Sequence, residues 1–170
     1  MNLKTEGAKV LYAYWDKARR GRKMPKVTDV DLVDLASILP NTMIHTAKPD
    51  GDFQFRFFGT NLVRSVDADL TGQSLSDLLN DAEKEKSIAE LTRVITEPIA
   101  MVSRFESSAI EGGRYETEHL FLPLANERGD GIEVISHAKR IEPPNSPRTF
   151  TINSFSSPKI IEQEWLPLSQ

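Results

Sequence analysis

The chain contains no cysteine. That absence removes disulfides, zinc–thiolate sites, iron–sulfur clusters and thiolate nucleophiles together, and with them any cysteinyl–flavin photoadduct. Histidine is scarce: His45, His119 and His137 are all there are, and no His-x-x-x-His or His-x-x-Glu-His spacing joins them into a zinc site. No apolar run approaches the ~20 residues that span a bilayer, and the polar stretch from Met1 to Ala8 lacks a signal-peptide core. The formal net charge is −4, so no overall field draws in nucleic acid or anionic lipid. No Gly-x-Ser-x-Gly, phosphate loop or dinucleotide fingerprint is present. Together these absences predict a cytoplasmic protein that is not an enzyme, holds no metal, and contacts neither membrane nor nucleic acid.

What is present is the balance of an ordinary globular domain, 39% hydrophobic and 27% charged over 170 residues. Thr5 can cap a helix from about Glu6 to Arg20, with Gly21 as its stop. Leu11, Trp15 and Ala18 share a stripe on that helix, flanked by Val10 and Tyr14. A shorter helical turn is expected from Asp31 to Ile38, ended by Leu39-Pro40. A hairpin follows, with one strand around Met43 and Ile44 and the other from Phe53 to Phe58. Lys48-Pro49-Asp50-Gly51-Asp52 is the turn chemistry between them. Short helical pieces carry Leu62, Val63 and Val66, then Leu75, Leu78 and Leu79. Asn80 with Glu83 forms a capping box for a longer helix through about Thr96. Three strands come last, about Ile99 to Ser107, Arg114 to Leu124 and Ile132 to Arg140, joined by Glu111-Gly112-Gly113 and by Asn126 to Gly131. Strands and helices segregated in this way imply an α+β domain, an antiparallel sheet with helices packed on it. The expected division is a helical extension over 1–24, a core over 25–142, and a tail over 143–170. The tail either adds a strand near Thr149 to Ile152 or packs Trp165 against a partner.

Trp15, Arg19 with Gly21, Pro25, Asp29, Asp31 and Leu39-Pro40 form one set of landmarks. The more specific set is Phe55-Arg56-Phe57-Phe58-Gly59-Thr60, then Leu62-Val63, then Asp69-Leu70-Thr71-Gly72. In these residues and in element order the chain resembles the PAS domain, in particular a bacterial subfamily of short, often stand-alone PAS proteins. The resemblance covers about residues 10 to 140. It implies a five-stranded antiparallel sheet with short helices on one face, preceded here by the extra amphipathic helix. It also implies a sensing or docking module, often a homodimer, whose output passes through a downstream signalling protein. Asp67 departs from the pattern, where glycine is usual, but Asp tolerates left-handed backbone better than most residues.

Several features then have a sharp and a bland reading. Phe55, Phe57, Leu62, Leu75, Leu78, Ile88, Leu91, Met101, Phe105, His119 and Phe121 would line the space between helices and sheet. They form either solid core or a pocket for a small apolar ligand, with Ser103, Tyr115, Thr117 and His119 as its polar groups. Val10, Leu11, Tyr14, Trp15 and Ala18 either dock the first helix on its own sheet or pair it with a second copy or partner. The long helix has no histidine to serve as a haem ligand, so no haem is expected, and no cofactor is indicated. Lys17 to Lys23 reads as a dipole-matched helix end, the alternative being an anion or nucleic-acid contact. Glu116 and Glu118 are expected to alternate outward on their strand. Two further readings stay open: a ligand-free dimerisation module, and a small enzyme with a conical pocket and His119 as its base.

Overall fold

Residues 2–108, 114–141 and 159–168 are described by the structure, a computed structural model. Helix α1 spans Glu6–Arg19 and ends as its sequence requires, with Arg20 left-handed (φ 48°) and Gly21 at φ 77°. Its inward stripe is Ala8, Leu11 and Trp15, all buried. Trp15 donates from Nε1 to the Pro123 carbonyl at 2.8 Å, which pins the helix to the sheet beneath it. Gly7 permits the close approach, since a Cβ there would lie 2.2 Å from Nε2 of His137. Three short 3₁₀ turns follow, at Val27–Asp29, Leu32–Leu35 and Leu39–Asn41, and add Leu35 and Ile38 to the same core. The basic tract is largely tied up at this corner: Arg19 pairs with Asp16 at 2.7 Å, and Arg22 with Asp29 at 2.6 Å.

The strands are β1 (Thr42–Ala47), β2 (Phe53–Phe58), β3 (Ile99–Ser108), β4 (Arg114–Ala125), β5 (Gly131–Ile141) and β6 (Lys159–Pro167). They form one antiparallel sheet in the order β2-β1-β5-β4-β3-β6. One face meets α1 and the 3₁₀ turns through Ile44, Val102, Leu120, Leu122 and Ile135. The other meets α2 (Thr60–Val66), α3 (Leu75–Leu78) and α4 (Asp81–Thr96) through Met43, Phe53, Phe55, Met101 and Val134. Because side chains alternate along a strand, β1, β3, β4 and β5 feed both cores, and their apolar residues come in runs rather than strict alternation.

The turns explain the landmarks read from sequence. Gly59 must lack a side chain, because a Cβ there would sit 2.3 Å from the Leu39 carbonyl oxygen. Asp67 adopts φ 55°, ψ 30°, the left-handed conformation expected of it, and Gly72 has φ 84°. Asn80 caps α4 by accepting from the Glu83 amide at 3.1 Å, and its side-chain amide donates to the Glu83 carboxylate at 2.7 Å, a side-chain variant of the expected box.

Four expectations need correction. The sheet has six strands, the sixth being β6; the strand expected near Thr149 to Ile152 falls outside the described residues, as does the Glu111-Gly112-Gly113 linker. Phe57 does not share a face with Phe53 and Phe55. A bulge places Ile44 opposite Phe57 and His45 opposite Phe55, so Phe57 turns to the α1 core. Thr5 precedes α1 without capping it, its hydroxyl donating instead to Glu118 at 2.9 Å.

Glu118 is the fourth. Far from facing solvent, it is fully buried. Its carboxylate accepts from the Lys4 amide at 2.9 Å and the Thr5 amide at 2.8 Å, and pairs with the buried Arg104 at 3.2 Å. Burial pushes the Glu118 carboxyl up, but those amides, the Thr5 hydroxyl and Arg104 outweigh it and hold the group below its usual range. Arg104 also reaches the Asn2 carbonyl, Glu162 and, at 3.6 Å, Glu164.

Removing Glu118 takes the acceptor from the Lys4 and Thr5 amides, the Thr5 hydroxyl and one side of the buried Arg104, so Glu118→Ala should destabilise by roughly 3 kcal/mol. Glu162→Ala removes a half-exposed partner and should lose less than about 1 kcal/mol. Urea unfolding at unchanged slope measures both. Equal losses would mean that the burial of Glu118 is not what holds α1.

Candidate ligand site on the helix-facing side of the sheet

The helix-facing side gathers most of the residues expected to line a pocket. Phe55, Leu75, Leu91 and Met101 are buried there, while Leu62, Leu78, Ile88 and Phe121 pack against them half-buried. Phe105 and His119 extend the set along β3 and β4, their rings 4.9 Å apart, with His119 and Phe121 at 6.1 Å. Phe57 is the member left out, on the other side of the sheet. Sequence reading missed Met43, Phe58, Val94, Val134 and Trp165, which belong to the same face.

It also missed two polar groups buried deep in that face. His45 and Ser136 are 4% and 0% exposed. Ser136 sits between Met43 on β1 and Phe121 on β4, its neighbours across the ladder. His45 lies over the Phe55 ring, centroids 4.5 Å apart. Ser136 Oγ and His45 Nδ1 have no hydrogen-bond partner among the described residues, although the Val134 backbone is near enough to His45 to favour its charged form slightly. Such groups are costly to leave unpaired in an apolar setting. Ser103, by contrast, accepts from Gln163 at 3.3 Å, and Gln163 also donates to Glu90 of α4 at 2.9 Å. Tyr115 is buried beneath the Arg140 guanidinium, 5.1 Å from its ring centre.

A shallow cleft of about 190 Å³ lies elsewhere, beside the start of α1, between Lys4, Thr5, Glu6 and Lys139 to Ile141. None of the expected pocket residues lines it. Nor do Leu11 and Trp15 offer an interface: at 0% and 1% exposure they are spent on their own sheet. Ala18 is half-buried, and Tyr14 is tied to Asp31, whose amide donates to its hydroxyl at 2.8 Å. Val10, 37% exposed, is the one member of that stripe facing solvent.

The PAS-domain family model matches residues 3–137. The chain belongs to the PAS-domain family. Two solved PAS domains are similar to it at low identity. One, from a protein of Colwellia psychrerythraea, is 10% identical, with a TM-score of 0.42, over 64% of this chain and 96% of that one. The other, from an HTR-like protein of Haloarcula marismortui, is 18% identical, with a TM-score of 0.37, over 64% of this chain and 90% of that one. No curated protein matches. The matched residues take in α1, the helices and strands through β4 and most of β5, whereas β6 lies beyond them. Among the described residues no helix is long and apolar enough to cross a membrane, and no cluster of His, Asp and Glu could hold a metal.

The three histidines give this PAS domain a defined acid response. Desolvation lowers His45 to about 4; desolvation and then the neighbouring His137 lower His119 to about 4; desolvation and then Lys139 lower His137 to about 4. Each starts from 6.5 when unfolded. Between those values the unfolded chain binds more protons, so stability is complete above pH 6.5 and declines as pH falls toward 4. Glu118, lowered from 4.5, extends the loss below pH 4.5. Urea unfolding between pH 7.5 and 4.5 should show stability falling with a slope that approaches three protons. His45→Phe should remove about one proton from that slope, and an unchanged slope would mean that His45 is not buried neutral.

Proposed function

We propose that this chain is a sensory or regulatory PAS module without catalytic activity. It holds a small, mainly apolar molecule against the helix-facing side of its sheet and signals through protein partners. The observation that carries this reading is Ser136 Oγ, fully buried between Met43 and Phe121 with no partner, and seconded by His45 Nδ1. A ligand with one or two hydrogen-bonding atoms on an apolar body would satisfy both groups while keeping their surroundings dry. The helical cover favours entry, because Leu62, Val63, Val66, Leu78 and Leu79 are half-buried rather than locked away. A non-catalytic role fits His119, whose ring contacts are Phe105 and Phe121 and whose depressed basicity suits it poorly to proton abstraction near neutral pH. On the α1 side a partner, including a second copy in a homodimer, would meet the exposed Val10 and Val33.

Native mass spectrometry of the protein purified from its own host should reveal a bound mass that Ser136→Ala reduces. The same substitution should leave the ligand-free protein at least as stable as the parent, because it deletes an unpaired hydroxyl. A protein that carries no bound mass, and that Ser136→Ala destabilises by about 1 kcal/mol or more, has a satisfied, filled core and no internal ligand.

A further inference from the structure

Strand β6 is built differently from the five strands before it. Those five each bury side chains, whereas none of the nine residues of β6 is buried. It nonetheless pairs along β3, from Ile99 opposite Pro167 to Glu106 opposite Lys159, with one bulge opposite the Arg104–Phe105 step. Its alternation is chemically two-sided. Glu162 and Glu164 reach Arg104, while Gln163 bonds Glu90 and Ser103, and the Arg93 guanidinium sits 4.3 Å from the centre of the Trp165 ring. Main-chain pairing, ion pairing and a cation–π contact hold it, with Trp165 and Leu166 packed only half-buried against the two cores. That combination marks a locally labile element.

The connection permits release. Ile141 at the end of β5 stands opposite Glu116, Glu116 opposite Glu106, and Glu106 opposite Lys159. The end of β5 and the start of β6 therefore share one row of the sheet, three strand spacings or about 14 Å apart. Residues 142–158 join them, a contour length well beyond that span. What β6 uncovers on leaving is the edge of β3, with Arg104 still paired to Glu118 and its remaining donors turned toward the departed carboxylates.

We propose that the β3 edge is a strand-docking site which β6 occupies in cis. The partner it fits is an extended protein segment with β6's own alternation, carboxylates toward Arg104 and a tryptophan toward Arg93. This rests on the reading of the chain as a module that signals through protein contacts, and it names the surface. Main-chain bonds to β3 supply affinity, and the Arg104–carboxylate contact sets register. Tethered β6 competes at high effective concentration, which keeps the edge closed until a partner strand or a loosened α4 shifts the balance.

The test is a fluorescent peptide of residues 159–168 titrated against the full chain and against a Gln163→Pro, Glu164→Pro variant. Of two successive residues in an edge strand one points its N–H at the neighbour, so this pair of prolines breaks the cis ladder whatever its phase. The variant should bind the peptide at least about tenfold more tightly than the parent. Changing both peptide glutamates to lysine should weaken that binding by at least about tenfold. A variant that keeps its far-ultraviolet dichroism and cooperative melting but binds neither peptide overturns the proposal. If the variant does not fold, hydrogen exchange on the unmodified protein decides. Excess peptide should speed exchange over 159–167 while leaving 99–106 protected, and no change over 159–167 also overturns it. Neither measurement involves the internal ligand, so failure here leaves any bound mass untouched, and an empty core leaves the edge untouched.

Discussion

A single buried ion pair, Arg104 with Glu118, joins the start of the chain, two central strands and the outer strand at one point. Glu118 on β4 accepts the amides of Lys4 and Thr5, and Arg104 on β3 takes the Asn2 carbonyl on one side and the carboxylates of β6 on the other. A carboxylate at the start of a helix interacts favourably with the helix dipole and satisfies orphan N–H groups. Here the carboxylate comes from the sheet, so the same interaction that starts α1 also fixes where it lies. Once the start is fixed, Trp15 nearly two and a half turns on can reach the Pro123 carbonyl, and Gly7 must pass over His137. Desolvating two charges is unfavourable in itself. The pair is held because each lone pair and donor finds a use, which an apolar substitute could not reproduce.

The contrast with Ser136 and His45 is instructive. All three polar groups are buried in the sheet, yet Glu118 is satisfied four times over, while Ser136 Oγ has no partner among the described residues and His45 is near only the Val134 backbone. The difference follows the faces. The α1 side is closed by a helix whose N-terminus supplies donors and by backbone running across it. The other side is closed by α2 to α4 through aliphatic side chains, which have no hydrogen bonds to offer. The division is not complete: on the α1 side His137 Nδ1 also has no partner among the described residues, and on the other side Ser103 accepts from Gln163.

Much of this was legible in the sequence because local chemistry decided it. The Asn80–Glu83 box, the Pro49 to Gly51 turn, the left-handed Asp67 and the bounds of β2 and α4 each depend on residues within a few positions of one another. The misses all turn on long-range pairing. Phe57 changes face because a bulge forms opposite Ile44 and His45, a property of two strands together. Glu118 looked like an outward glutamate because its partners come from residues 4 and 5 and from 104, none of them near in sequence. The stripe of α1 was correctly found, but a helix cannot declare whether its own sheet or another molecule covers Leu11 and Trp15. The candidate site was half legible: the aliphatic lining follows from helix and strand periods, whereas Ser136 is a lone serine among apolar residues of β5 and signals nothing until Met43 and Phe121 flank it.

Sensing requires that some part of a domain give way at small energy while the rest does not. The strong elements here are concentrated on the α1 side and in the central strands, where residues such as Leu120, Leu122 and Ile135 are fully enclosed. The weak ones are the half-buried α2 and α3 and the unburied β6. Helices α2 and α3 and, of β6, Gln163 and Trp165 lie on the same side as Ser136, and they meet at α4, which packs over the sheet and contacts both β6 residues. A molecule seated against Ser136 would press on α4, and α4 is what β6 holds. Arg104 then distinguishes the two outcomes: its bond to Glu118 keeps α1 in place whether or not β6 is present, so the outer strand can respond without the core coming apart.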